Sequence, residues 1–129
     1  MDNSAPCDEQ PIEAAFCPHF HHAVELIGRR WTGAIIRAML VGGITRFSDL
    51  TQAVPGLSDR MLSERLKELE VEGIVRRIVI PETPVRIEYQ ITDKGRALGD
   101  VVNSIGAWAN EWLPGHVPMA PVAGTAEAR

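Results

Sequence analysis

The feature that most constrains this chain is a change of hydrophobic period at Gly73. Over residues 58–72, Leu62, Leu66 and Leu69 recur at helical spacing. At about 100° per residue they fall on one stripe, with Arg60, Ser63, Glu64 and Lys67 opposite. Ser58 is placed to cap the first turn, and Gly73 to take the left-handed conformation that ends the helix. Downstream, 74–80 is rich in β-branched residues, 81–84 reads as a turn, and Val85, Ile87, Tyr89 and Ile91 alternate with Arg86, Glu88 and Gln90. An amphipathic helix therefore runs straight into a two-stranded hairpin, with one face to bury and one to present.

Shorter elements flank this unit. Phe20, Val24 and Ile27 predict a first helix ended by Gly28; Trp31, Ile35, Ile36, Met39 and Leu40 predict a second, ended by Gly42 and Gly43. A short helix over 47–54 is closed by Pro55 and Gly56. Thr92 then caps a long final helix whose stripe is Leu98, Val101, Val102, Ile105, Trp108, Ala109 and Trp112. The fold class expected is α+β, mainly helical: a winged helix-turn-helix domain with extra N- and C-terminal helices. In length the 129 residues suit one domain. Residues 1–16 and 114–129, rich in Pro, Gly and small polar residues, read as a flexible arm and tail around a 17–113 domain. Three short helices and a hairpin cannot cover the last stripe, so a second chain is expected to bury it.

The net charge of -4 is unevenly spread. Between Arg29 and Arg96 lie 12 of the 13 cations and 9 of the 17 acids, a balance of +3, which leaves -7 on the two ends. The middle is the part suited to phosphates. Arg60 and Lys67 are candidates for phosphate or guanine edges, Ser58 and Ser63 for phosphate or bases near the helix start, and Glu64 for a cytosine amine. Arg86 in the wing is placed for an A·T-rich minor groove or a phosphate. Arg46 before the short helix, and Arg76 with Arg77 at the start of the first strand, add candidate backbone contacts. An ordinary solvated amphipathic face remains the alternative for these positions.

The blocks Cys17-Pro18, Gly28-Arg29-Arg30-Trp31, Arg46-Phe47-Ser48-Asp49-Leu50, Pro55-Gly56-Leu57-Ser58, Met61-Leu62-Ser63-Glu64-Arg65-Leu66-Lys67-Glu68-Leu69-Glu70, Gly73-Ile74-Val75 and Tyr89-Gln90-Ile91-Thr92-Asp93-Lys94-Gly95 keep both order and spacing. In these the chain resembles the HxlR-type bacterial winged-helix regulators from Cys17 to Trp112. The resemblance implies a transcription regulator that is a homodimer through its terminal helices, with Phe20, Val101, Ile105, Trp108 and Trp112 as interface candidates. It also implies that the helix over 58–72 enters the major groove of double-stranded operator DNA, at two half-sites. Several members of that family sense oxidants or electrophiles with a cysteine at the Cys-Pro position, which assigns a sensing role to Cys17. The chain departs from the family after Pro18, where His19, Phe20, His21 and His22 replace the usual aliphatic and small polar residues. That departure bears on the effector and not on the fold.

Cys17 stands just before a helix, where unpaired backbone N–H groups favour a thiolate; packing at the helix start is the alternative. With two cysteines in the chain, Cys7 and Cys17, reduced thiols are expected rather than a secreted disulfide framework. Cys17, His19 and His22 offer soft and borderline metal donors, so a metal-responsive regulator is a second reading; His21 points away from them, and no metal or other cofactor is assigned. A winged-helix protein-interaction module without DNA binding is a third. The acids lie along helix faces rather than as a convergent dyad, and no glycine-rich phosphate loop or nucleophile triad is present, so no enzyme is expected. With no apolar run of about 18 residues and no basic N-terminal start, the protein is expected in the cytoplasm, away from membranes.

Overall fold

The computed structural model describes residues 15–115. The expected arm at 1–16 and tail at 114–129 lie almost wholly outside the described residues. The order is α1 (Pro18–Gly28), α2 (Thr32–Gly42), α3 (Phe47–Ala53), α4 (Asp59–Val71), β1 (Val75–Ile80), β2 (Arg86–Ile91), α5 (Asp93–Arg96) and α6 (Gly99–Trp112). This is a mainly helical winged helix-turn-helix arrangement in which α3, α4 and the hairpin form the reading unit.

The core is built on α2 and α4. Ile35, Ile36 and Met39 of α2 meet Leu62, Leu66 and Leu69 of α4; Leu50, Val54 and Leu57 close one side, and Ile74, Val75, Tyr89 and Val102 the other. Deleting any of the fully buried leucines costs about 2 to 5 kcal/mol. Both α1 and α6 pack against α2. Helix α1 has no fully buried residue, and only Leu26 and Ile27 lean on the core.

Local chemistry starts and ends α4 where the sequence indicates. Ser58 Oγ accepts from the Met61 N–H at 3.1 Å and starts α4. At its far end Gly73 has φ +81°, and the Ile74 N–H returns to the Leu69 carbonyl at 2.9 Å. Lys94 Nζ donates to the Glu72 carbonyl at 2.6 Å, and Thr92 Oγ1 to the Ile74 carbonyl at 3.0 Å. The start of α5 thus satisfies the open end of α4. In the hairpin Val75 pairs with Ile91 and Ile80 with Arg86. The Tyr89 N–H donates to the Thr45 carbonyl at 2.8 Å, which fixes the approach to α3 on the edge of β2.

Two expectations need correction. The single helix expected after Thr92 is two: Thr92 caps the four-residue α5, and a tightened turn at Ala97 and Leu98 precedes α6. At Gly95 a Cβ would run into the Ile74 carbonyl oxygen, so α5 lies close against the root of the hairpin, and the chain turns at Ala97 and Leu98 before α6 packs on α2. Trp31, assigned to the stripe of α2, instead precedes it with φ +77°. Its ring covers Gly56, whose Cβ would meet Trp31 Cη2 at 3.2 Å, and the Arg30 guanidinium lies 5.0 Å from the ring centroid.

Candidate nucleic-acid interface

The exposed side of α4 presents the residues opposite its leucines. Arg60 is 88 % exposed and pairs with Glu64, Nε to Oε2, at 3.5 Å. Ser63 and Lys67 are exposed on the same side. Ser58 is exposed, and its oxygen is used by the cap while its own O–H proton stays available to a phosphate.

A second group of cations sits at the wing. Arg46, immediately before α3, is exposed and bridges by its backbone to Glu88 of β2. Arg46, Ser48, Arg77, Arg86 and Tyr89 line one cleft of about 510 Å³ between α3 and the hairpin. Arg86 is held there by two acids, Nη2 to Glu82 at 3.1 Å and Nε to Glu88 at 3.0 Å. In the free protein its charge is already met, and a DNA contact requires exchange of one carboxylate for a phosphate. Arg76 projects elsewhere, into a cleft of about 380 Å³ with Gln90 and Arg96. Arg46, Lys67, Arg76 and Arg77 have no acidic partner among the described residues. Of these, Arg46 and Arg77 share the cleft at the wing, where an anion meets unmatched charge; Arg76 lies in its own cleft, and Lys67 stands among Glu64, Glu68 and Glu72. Arg77 lines the same cleft as Arg46 and Arg86, although in the strand register it lies on the face of Ile87 and Tyr89, opposite that of Arg76, Arg86 and Glu88.

Helix α1 borders this surface. A cleft of about 420 Å³ lies between α1 and α4, with His22, Leu26 and Arg29 on one wall and Lys67, Glu68 and Glu72 on the other. His22 Nε2 donates to Glu72 Oε2 at 2.8 Å, and Arg29 Nη1 reaches Glu68 Oε1 at 3.1 Å. Arg65 Nε donates to the Arg30 carbonyl at 2.8 Å, and its Nη1 pairs with Glu68 at 3.1 Å. Sequence reading missed this network. Arg65 and Glu68 are a visible helical pair, but the carbonyl that Arg65 holds is 35 residues away and carries no side-chain signal.

His21 faces Glu25 at 3.6 Å and His22 faces Glu72, and among the described residues no group of three or more His, Cys, Asp or Glu converges. Cys17 caps α1, its Sγ accepting from the Phe20 N–H at 3.4 Å, and it is disulfide-bonded. This corrects the expectation of reduced thiols; Cys7, the other cysteine, lies outside the described residues. The interface candidates stand open to solvent in the single chain: Phe20 is 67 %, Trp108 59 % and Trp112 67 % exposed, with Val101 and Ile105 beside them on α6. No helix of the described residues is long and apolar enough to cross a membrane.

Comparison with known proteins agrees with this architecture. The HxlR-like helix-turn-helix family model matches residues 26–117. The HTH-type transcriptional regulator YvaP of Bacillus subtilis is 54 % identical over 101 residues, 78 % of this chain and 93 % of YvaP. The reduced form of the transcriptional regulator YodB from B. subtilis superposes with a TM-score of 0.67 at 46 % identity, covering 78 % of this chain and 99 % of YodB. The redox regulator HypR in its oxidized form superposes with a TM-score of 0.66 at 33 % identity, covering 74 % of this chain and 96 % of HypR. With the reading helix, the wing and the unmatched cations in the same chain, the protein belongs to the HxlR-like helix-turn-helix family and is a DNA-binding transcriptional regulator, not an enzyme.

Proposed function

We propose that this regulator acts in the cytoplasm as a homodimer on an operator of two half-sites and answers to oxidation at Cys17. The observation that carries the dimer is the apolar surface of Phe20, Val101, Ile105, Trp108 and Trp112, left open by a chain whose core is otherwise closed. Such a patch on a domain of this size marks an interface. A twofold pair joined through α1 and α6 presents two copies of α4, and successive major grooves of one DNA face are about 34 Å apart.

In each half-site α4 enters the major groove with Arg60, Ser63 and Lys67, while Ser58 and Arg46 hold the backbone. Arg76 and Arg86 bring the hairpin to the neighbouring phosphates or minor groove. The domain over 17–113 carries all of these functions, with 1–16 as arm and 114–129 as tail. Cys17 is the sensing position because it caps the start of α1, the proposed dimer helix, and is disulfide-bonded. Two relatives, YodB and HypR, are described by their redox forms. Reduction of the disulfide by a dithiol transfers two electrons and two protons and frees the cap sulfur.

The test is operator affinity, measured on a duplex selected from a random pool by the full-length protein. Wild type is compared with Cys17→Ser, each after dithiothreitol and after diamide. A change of fivefold or more with redox state, lost in Cys17→Ser, is expected. A redox response that persists in Cys17→Ser removes Cys17 from the sensing role, and binding with one protomer per duplex removes the dimer.

A further inference from the structure

Arg60 occupies a place that a helix disfavours for a cation. It lies in the first turn of α4, directly after Asp59, beside the N–H groups that form the positive end of the helix dipole. Its partner Glu64 follows it by four residues. That order, cation first, is the weaker one for helix stabilisation, and an exposed pair of this kind adds little to the fold. Glu64 is also an acid in the middle of a face flanked by Ser63 and Lys67, where it repels the phosphates that the neighbouring cations attract. Stability therefore explains neither residue, and general attraction to DNA, which would suit Arg60, does not explain Glu64.

The contact itself supplies the explanation. Glu64 Oε2 approaches Arg60 at Nε, the inner end of the guanidinium, with the two terminal amino groups beyond it. Those two donors are the fork that pairs with O6 and N7 of guanine. We propose that Glu64 is a positioning residue that sets the base preference of α4. It holds Nε, aims the terminal amines of Arg60 at one guanine, and by its charge keeps the guanidinium from settling on a flanking phosphate. The inference rests on α4 being the major-groove helix.

The experiment uses full-length protein and a duplex selected from a random pool. Anisotropy titrations compare that duplex, a set with each half-site base pair replaced in turn, and an unrelated duplex. The proteins are wild type, Glu64→Ala, Glu64→Gln, Arg60→Ala and the double variant, each checked for wild-type circular dichroism. Glu64→Ala is expected to tighten binding to the unrelated duplex, because one negative charge is gone, while preference at a single base pair falls at least fivefold. Glu64→Gln, which keeps the acceptor without the charge, is expected between the two. In the Arg60→Ala background that preference is already lost, and removing Glu64 tightens all duplexes alike. Equal tightening on every duplex by Glu64→Ala alone overturns the proposal, as does a preference lost through Glu64 when Arg60 is absent. If Arg60→Ala leaves affinity and preference unchanged, the placement of α4 in the groove falls as well.

Discussion

Trp108 gives the sharpest test of the dimer. It is 59 % exposed in the single chain, and a tryptophan side chain carries about 250 Å² of surface, so about 150 Å² is available to a partner. Replacement by Ala removes about 100 Å² of that contact, worth about 2.5 kcal/mol at about 25 cal/mol per Å². A twofold interface loses the contact in both copies, about 5 kcal/mol when each is fully covered and about half that when each is half covered. At 25 °C this weakens dimerisation by about two to four decades. Sedimentation equilibrium of Trp108→Ala at micromolar concentration should then show monomer where wild type shows dimer. Val79→Ala is the control, since Val79 is as exposed but lies on the wing. A wild-type monomer at that concentration refutes the reasoning, as does a Trp108→Ala dimer as tight as wild type.

Gly95→Ala should lower the melting temperature by about 10 °C or more, because its Cβ would stand against the Ile74 carbonyl; an unchanged thermal midpoint would show that the hairpin root yields freely. Arg65→Ala should lose about 1 to 2 kcal/mol in urea unfolding, and Arg65→Lys should not restore it, because a single ammonium cannot serve the Arg30 carbonyl and Glu68 together. Arg46→Ala and Arg77→Ala should weaken selected and unrelated duplexes by the same factor and each reduce the salt slope by about 1; a change in base preference would make them base readers instead.

The elements were legible because each is announced locally. The leucines of α4, its Ser58 cap and the Gly73 stop all act within a few residues, and the hairpin follows from alternation. What was not legible depends on distant partners. Gly95 reads as a helix residue until Ile74 is brought beneath it, and Trp31 continues the stripe of α2 until Gly56 offers its surface. The same holds at the surface proposed to meet DNA. Arg60, Ser63 and Lys67 could be placed from helical phase alone, whereas Arg86 looked as available as Arg77 until Glu82 and Glu88 were found on either side of it. Charge in a sequence gives supply, and only the fold shows which charges are already spent.

The links between α1 and α4 differ in what they can transmit. On the proposed reading, oxidation at Cys17 must change the relation of two recognition helices, and α1 is the element between them. The His22 to Glu72 contact is short, but the histidine side chain is 66 % exposed, and such pairs contribute about 0 to 1 kcal/mol. A tenfold shift between two states needs about 1.4 kcal/mol, so this contact alone cannot drive a switch. The second route is firmer. Arg65 is only 13 % exposed, and it joins the Arg30 carbonyl to Glu68, which in turn holds Arg29 at the end of α1. Trp31, next in the chain, is fixed in a left-handed turn against Gly56 between α3 and α4. A displacement of α1 therefore reaches α4 through this turn, where the backbone has little freedom to absorb it.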